Sequence, residues 1–210
     1  RCTLKAHGSV RSPAGGLLRA PRVRSHVYEV EIKIPASVDA IRERLADAGA
    51  DRRGRRRQRD VYYDAPHRVF AETDEALRIR HETDDAGASN DTSTHLTYKG
   101  PRLDEASKTR VEHETAVAEA TELADVLDCL GFEPAATVEK RREYWTLEGF
   151  TITLDAVSEV GEFVEIERAV ENQDAIDETR EAAVETLAQL GLDVDDQVTT
   201  SYLGLLLDGD

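Results

Sequence analysis

The stretch that decides the fold is YEVEIKI at residues 28–34, in which charged and apolar side chains alternate. Successive side chains of a β-strand point to opposite faces of the sheet, so this stretch predicts a strand with Glu29, Glu31 and Lys33 on one face. Unpaired buried charges are costly, so such a face needs water or a ligand beside it. Carboxylates bind hard cations and an ammonium binds phosphate oxygens, which suits a metal-bound polyphosphate. A half-exposed edge strand would show the same alternation.

A second row of this kind lies near the other end of the chain, at residues 163–167. Glu165 and Glu167 share one face of this predicted strand, and Val164 and Ile166 share the other. Predicted strands between the two rows carry further charged side chains on their polar faces. These are Arg78, Arg80, Lys99, Arg110, Lys140, Arg142 and Asp155. If the polar faces converge, they line a barrel whose interior must hold water, metal or an anion.

Lysine is used sparingly, and its positions follow the predicted strands. The chain has 27 basic residues, of which only five are lysines. Three of the five, Lys33, Lys99 and Lys140, fall in the polar rows described above. A lysine ammonium is a compact point charge that arginine does not replace, so this placement suggests a specific need for it. Chance placement of five residues is the alternative explanation.

The order of these rows resembles that of the CYTH superfamily, which includes class IV adenylyl cyclases, thiamine triphosphatases and inorganic triphosphatases. The Glu-x-Glu-x-Lys pattern at residues 29–33 is similar to the superfamily's signature, and the resemblance extends to residues 201–206. The chain is most similar in character to the short archaeal members named class IV adenylyl cyclases. The resemblance implies an α+β fold, with an eight-stranded antiparallel β-barrel (the triphosphate tunnel) and helices packed outside it.

The resemblance also implies a metal-dependent enzyme that processes triphosphates. We first expect a class IV adenylyl cyclase. In that reaction the 3′-hydroxyl of ATP attacks the α-phosphorus, and cyclic AMP and pyrophosphate form. The alternative to a cyclase is a triphosphatase, in which water attacks a terminal phosphorus of tripolyphosphate, thiamine triphosphate or a nucleoside triphosphate. A non-catalytic polyphosphate or nucleotide sensor is a further alternative. The glutamate rows argue against a sensor, because a binding protein needs cations more than a metal site.

Roles for individual residues follow from the resemblance and from the predicted lining. The expected ligands of Mg²⁺ or Mn²⁺ are Glu29, Glu31, Asp155, Glu165 and Glu167. The expected catalytic residues, which would neutralise the triphosphate, are Lys33, Arg78, Arg80, Lys99, Arg110, Lys140 and Arg142. Catalysis would then depend on positioning and charge, with no covalent intermediate.

The amino-acid composition bears on the source organism and on the cellular location of the chain. It carries 43 acidic and 27 basic residues, and its formal net charge is -16. Such acidity with so little lysine favours a halophilic archaeon as the source, although an acidic mesophilic protein would look similar. No stretch is apolar enough to span a membrane, and the two cysteines make no disulfide framework. We therefore expect a cytoplasmic protein that binds a small-molecule triphosphate and no membrane, with a homodimer as an open alternative.

Six arginines fall within residues 52–59. Such a cluster could attract nucleic acid or a polyphosphate chain. We expect it instead to form a solvated loop at the rim of the tunnel. Nucleic acid is therefore not an expected partner.

Residues 1–26 differ in composition from the rest of the chain, since they include six basic residues and no acidic one. They show no hydrophobic period, so they cannot offset an ordering entropy of about 1–2 kcal/mol per residue. We expect this segment to be disordered and residues 27–210 to form the CYTH-like tunnel domain. A misassigned start, with Val27 as the true first residue, would explain the contrast. A basic arm that binds nucleic acid is the alternative.

Removal of residues 1–26 should leave the melting temperature and the triphosphate turnover in high salt unchanged, because the segment buries no apolar surface. Thermal unfolding and product assays on the full chain and on residues 27–210 check this expectation. Lower stability or weaker substrate binding after truncation would instead identify the segment as a functional arm.

Overall fold

The computed structural model describes residues 28–85, 92–102 and 110–208, so the expected disordered segment at residues 1–26 lies outside the described residues. The strands in the described ranges are β1 (Tyr28–Pro35), β2 (Asp51–Asp64), β3 (Ala76–Asp84), β4 (Thr92–Arg102), β5 (Arg110–Ala116), β6 (Glu133–Leu147), β7 (Phe150–Val157) and β8 (Gly161–Val170). The helices are α1 (Val38–Asp47), α2 (Ala120–Cys129), α3 (Ile176–Gln189) and α4 (Tyr202–Asp208). No helix in these ranges is both long and apolar enough to cross a bilayer.

All neighbouring strands pair in antiparallel fashion and close into a barrel in the order β1-β5-β4-β3-β2-β6-β7-β8. Strands β1 and β8, which carry the two glutamate rows, are therefore neighbours although they lie far apart in sequence. Their register sets Glu31 opposite Glu167 and Lys33 opposite Glu165. The prediction of an eight-stranded antiparallel barrel with helices outside is confirmed.

The main apolar core lies outside the barrel, between the strands and two helices. Because side chains alternate along each strand, inward charged residues leave aliphatic residues pointing outward. Ile32 of β1 and Ile152 of β7 pack in one cluster with Leu45 of α1 and Leu187 of α3. Trp145, expected to pack outside against a helix, belongs to the same cluster. Burial of this outer face supplies the largest share of the hydrophobic stabilisation, and a smaller buried cluster around Phe163 and Tyr202 adds to it.

The arginine-rich segment at residues 52–59 is part of β2 and is not a loop, so that expectation was wrong. Strand β6 pairs with β2 on both sides of an irregularity between Arg52 and Gly54. Carboxylates on neighbouring strands offset the outward arginines: Arg52 and Arg55 each lie 3.0 Å from the buried Glu143. The density of positive charge suggested a solvated loop. In the structure the segment is a strand, because β6 pairs with its backbone and carboxylates of neighbouring residues offset its charge.

Leu187→Ala should lower the free energy of unfolding by about 2–5 kcal/mol, because it leaves a cavity between α3 and the barrel. Leu187 is fully buried in the outer core, whereas Leu130 is 61% exposed and provides a matched control. Leu130→Ala should change the stability by no more than about 0.5 kcal/mol. Denaturant titrations of both variants at one salt concentration measure the difference. Equal effects would show that the outer core is not the main source of stability.

Candidate active site

A cavity of about 490 Å³ occupies the barrel interior. This volume falls in the range of about 300–1,000 Å³ that is usual for sites that hold organic ligands. Most of the predicted site residues line it, namely Glu29, Glu31, Arg78, Arg80, Lys99, Arg110, Lys140, Arg142, Glu165 and Glu167. Two others, Lys33 and Asp155, are buried in contact with its walls. The structure thus brings both glutamate rows and the predicted cations to one enclosure.

Three carboxylates of β1 and β8 converge in this cavity. Glu31, Glu165 and Glu167 each offer an oxygen, and these oxygens lie within 4.8 Å of one another. Burial and then the negative charge of Glu29 raise the pKa of Glu167 to about 8, although Arg142 opposes this shift. Like charges placed directly opposite each other across a sheet are destabilising. A hard divalent cation with oxygen ligands fits this group, because it would offset the repulsion.

Glu29 lies on the same face as Glu31 but contacts a lysine. The Lys99 ammonium lies 2.6 Å from the Glu29 carboxylate and 2.7 Å from that of Glu112. Burial lowers the pKa of Lys99, but the charges of Glu29 and Glu112 outweigh burial and raise the pKa above its ordinary value. Lys99 therefore stays fully charged beside the carboxylate group.

The Asp60 carboxylate contacts Arg78 and Arg80, the two inward arginines of β3. The sequence did not identify Asp60 as a site residue. Arg80 donates two hydrogen bonds of 2.7 Å to its carboxylate, and Arg78 lies 3.3 Å from the same group. Burial would raise the pKa of Asp60, yet the charges of Arg78 and Arg80 hold it far below its usual value. Asp60 is thus a permanent anion in the wall, and it fixes the direction of the Arg80 guanidinium.

Asp155, an expected metal ligand, lies outside the group of three convergent glutamates. Its carboxylate accepts a 2.7 Å hydrogen bond from Arg142 Nε and a second bond from Nη2, which also contacts Glu165. Lys140 Nζ lies 3.6 Å from the same carboxylate. Burial and the neighbouring charge of Arg142 lower the pKa of Lys140 to about 8. This geometry favours Asp155 as the group that orients Arg142 rather than as a metal ligand.

The C-terminal segment completes the cavity wall. The Val198 amide donates a 2.8 Å hydrogen bond to the Lys33 carbonyl, which fixes the chain before α4. The centre of the Tyr202 ring lies 4.2 Å from Lys33 Nζ and 4.8 Å from Lys140 Nζ. Cations over an aromatic face are attracted to it, so Tyr202 helps to hold both lysines in place.

Several lining residues were not predicted as site residues. They are Glu82, Thr97, Arg102, Tyr144 and Tyr202, while Asp60 lies in the wall behind the arginines. The two-residue period of β2, with Gln58, Asp60 and Tyr62 on one face, could have identified Asp60 if the preceding arginines had been recognised as strand. The family resemblance includes residues 201–206, but no periodic pattern marks Tyr202 as a site residue, and only the fold brings its ring to the cavity.

Comparisons with known proteins agree with this architecture. Residues 27–202 match the CYTH domain family. A curated protein of Methanocaldococcus jannaschii, provisionally named an adenylate cyclase, is 33% identical over 180 residues, which cover 85% of this chain and 98% of that protein. A Pyrococcus horikoshii protein of known structure superposes with a TM-score of 0.79 at 40% identity, covering 87% of this chain and 99% of its own.

A more distant solved structure shares the fold alone. It is that of a Hippeastrum protein, provisionally named an adenylyl cyclase and described as having a dominant triphosphatase activity. Its TM-score is 0.56 at 19% identity, and the match covers 88% of this chain and 96% of that one. Because the family match spans residues 27–202, which include all eight strands of the barrel and the start of α4, this chain belongs to the CYTH domain family.

Proposed function

We propose that this chain is a metal-dependent adenylyl cyclase of the class IV type, which converts ATP to cyclic AMP and pyrophosphate. One observation carries the proposal: three convergent glutamates share a cavity with a set of ammonium and guanidinium groups. A triphosphate needs both, because its oxygens bind a divalent cation and its charge needs neutralising. The provisional name of the Methanocaldococcus jannaschii relative agrees with the choice of a cyclase.

Mg²⁺ or Mn²⁺ would be held by Glu31, Glu165 and Glu167, with Glu29 beside them. When bound, such an ion acts as a Lewis acid toward a phosphoryl oxygen and orients the phosphates. The choice of a hard, oxygen-binding ion follows from the purely carboxylate donor set. Glu167 would lose its proton on binding, since its pKa is raised to about 8 in the ion-free site.

The cations of the lining would bind the triphosphate and hold it in line for displacement. These are Lys33, Arg78, Arg80, Lys99, Lys140 and Arg142, with Arg110 at one end of the lining. Two of the arginines, Arg80 and Arg142, are already fixed by buried aspartates before any substrate arrives. Groups fixed in this way stabilise charge that develops at the reacting phosphate without a cost of reorganisation.

In the cyclase reaction, a bond forms between the 3′-oxygen of the ribose and the α-phosphorus. The bond between the α-phosphorus and its bridging oxygen to the β-phosphate breaks, and pyrophosphate leaves with the electron pair. The proton of the 3′-hydroxyl passes to water in the cavity. The lining cations near the β- and γ-phosphates would stabilise the charge that accumulates on this leaving group.

A triphosphatase is the second candidate, because the same lining would serve attack by water on a terminal phosphorus. The dominant triphosphatase activity of the Hippeastrum protein supports this alternative at the level of the fold. A sensor without catalysis is less well supported. Crowding of Glu31, Glu165 and Glu167 in a binding site for anions would weaken binding unless an ion is bound there.

One experiment separates these functions. The full chain is incubated in high salt with Mg²⁺ or Mn²⁺ and, separately, with ATP, tripolyphosphate and thiamine triphosphate. Cyclic AMP and pyrophosphate in equal amounts from ATP would support the cyclase. Release of inorganic phosphate would identify a triphosphatase, and tight binding without any product would identify a sensor.

Glu31→Gln and Glu167→Gln should each abolish metal-dependent turnover while the barrel remains folded, because each removes an anionic ligand but keeps the shape of the side chain. Glu139→Gln is a matched control, since Glu139 belongs to β6 but is 62% exposed beside Arg59. Product formation at limiting metal and a thermal unfolding curve are measured for all three variants. Normal turnover in both inner variants would rule out this metal site.

Arg80→Gln should lower kcat/KM by the equivalent of about 2–4 kcal/mol, because it removes a fixed positive charge from a site sheltered from water. Gln can still donate a hydrogen bond to Asp60, which limits the effect on folding. Arg59→Gln provides the control, as Arg59 pairs with β6 at the surface. An Arg80→Gln variant with wild-type kcat and a slightly raised KM would place this residue outside the reacting region.

Mg²⁺ should raise the melting temperature of the wild-type chain and not that of Glu167→Gln, because an ion that binds only the folded state stabilises it. The folded-state pKa of Glu167 is raised from 4.5 to about 8. The ion-free protein should therefore lose stability as the pH rises from about 4.5 to about 8, and Glu167→Gln should remove part of this loss. Melting curves with Mg²⁺ and with a chelator, from pH 5 to pH 9, measure both effects. Identical pH profiles for the two proteins would contradict the raised pKa.

A further inference from the structure

Two arginines face each other at one mouth of the cavity. Arg102 of β4 stands directly opposite Arg110 of β5, beyond a break in the register that begins after Lys99. Both arginines line the cavity that contains the glutamates. Like charges that stand directly opposite each other repel, so this arrangement requires an anion to hold it.

Asp74 supplies that anion from a different part of the chain. It follows the short 3₁₀ turn Phe70–Thr73 and adopts the left-handed backbone conformation, with φ at 53°. Its carboxylate accepts 2.9 Å hydrogen bonds from both the backbone amide and Nε of Arg102, and it lies 3.5 Å from Arg110 Nη2. One carboxylate thus bridges the two guanidinium groups.

Arg110 is fixed further by the backbone around Asp74. Its Nη1 donates hydrogen bonds of 3.2 Å to the Asp74 carbonyl and 3.1 Å to the Gly100 carbonyl. Burial would raise the pKa of Asp74, but the hydrogen bonds from Arg102 and the charge of Arg110 lower it. Asp74 therefore stays ionised near neutral pH, and the two arginines are held by both its side chain and its main chain.

We propose that Asp74 is a positioning residue that holds Arg102 and Arg110 as a clamp for the anionic group of the substrate at this mouth. A guanidinium has five N–H donors in a rigid fork, so contacts with one carboxylate leave others that can meet a second anion. Arg102 becomes a substrate-contacting residue that the sequence pattern did not indicate. This inference rests on the proposed function, in that it requires a triphosphate to enter the cavity.

A double-mutant cycle tests whether Asp74 acts through the arginines. Asp74→Ala, Arg102→Gln, Arg110→Gln and the combined variants are prepared in the full chain. The dissociation constant of inorganic tripolyphosphate is measured by calorimetry without divalent ions, and KM and kcat are measured with ATP and Mg²⁺. Asp177→Ala provides the control, because it removes a surface carboxylate 3.0 Å from Arg180.

We expect Asp74→Ala to weaken tripolyphosphate binding about tenfold and to raise KM similarly while kcat changes little, as a lost charge-assisted contact would. On the Arg102→Gln, Arg110→Gln background the same change should have no further effect. Asp74→Asn should lie between the wild type and Asp74→Ala, because Asn also tolerates the left-handed conformation and keeps one acceptor oxygen. This second variant remains informative if Asp74→Ala folds poorly.

Tighter binding by Asp74→Ala would overturn the inference, since Asp74 would then be a competitor of the substrate and not its organiser. An undiminished effect of Asp74→Ala without the two arginines would overturn it as well. If Asp74 is coupled to the two arginines in tripolyphosphate binding but no triphosphate is turned over, the proposed function is refuted and the inference about the clamp stands. If turnover is normal but Asp74 is not coupled to the two arginines, only the inference about the clamp is refuted. If the wild type binds no tripolyphosphate, both the clamp and the proposed function are refuted.

Discussion

The structure depends on the pairing of charges inside a barrel whose cavity is lined mainly by charged and polar side chains. Burying an unpaired ion costs several kcal/mol, so each inward cation requires an inward anion. Asp60 and Asp155 each accept two hydrogen bonds from an inward arginine, Arg80 and Arg142 respectively. The Lys99 ammonium forms ion pairs with the carboxylates of Glu29 and Glu112. Because charged side chains occupy so much of the interior, the largest apolar core forms on the outer face beneath the helices, and a smaller one packs around Phe163 and Tyr202.

The aspartates of the wall and the convergent glutamates of the lining have different charged neighbours. Each aspartate in the wall meets at least one guanidinium, which fixes the cations before a ligand binds. The group of Glu31, Glu165 and Glu167 instead concentrates negative charge, and burial together with the charge of Glu29 raises the pKa of Glu167. Sites that bind ligands often keep such destabilising arrangements at the expense of stability. This negative charge therefore lies where a divalent cation would offset it.

Alternation alone predicted much of this site. Glu29, Glu31, Glu165 and Glu167 stand out because a period of two places like charges on one face, and the same period identified Arg78, Arg80 and Arg142. The barrel and its helices followed from the family resemblance that these rows carry. Pairing partners were harder to predict: Asp60 follows a run of arginines that suggested a loop, and the role of Asp155 depends on its proximity to Arg142, which only the register establishes.

Contacts made by segments outside the strands could not be predicted at all. Tyr202 comes from α4 and Asp74 from the turn after Phe70–Thr73, and neither position carries a periodic signal. Both act on cations that the strands place: Tyr202 contacts Lys33 and Lys140, and Asp74 contacts Arg102 and Arg110. Strand periodicity thus determines which charges enter the barrel. The connecting segments determine which of those charges are held rigid, and a rigid cation is the kind that can favour one phosphate geometry over another.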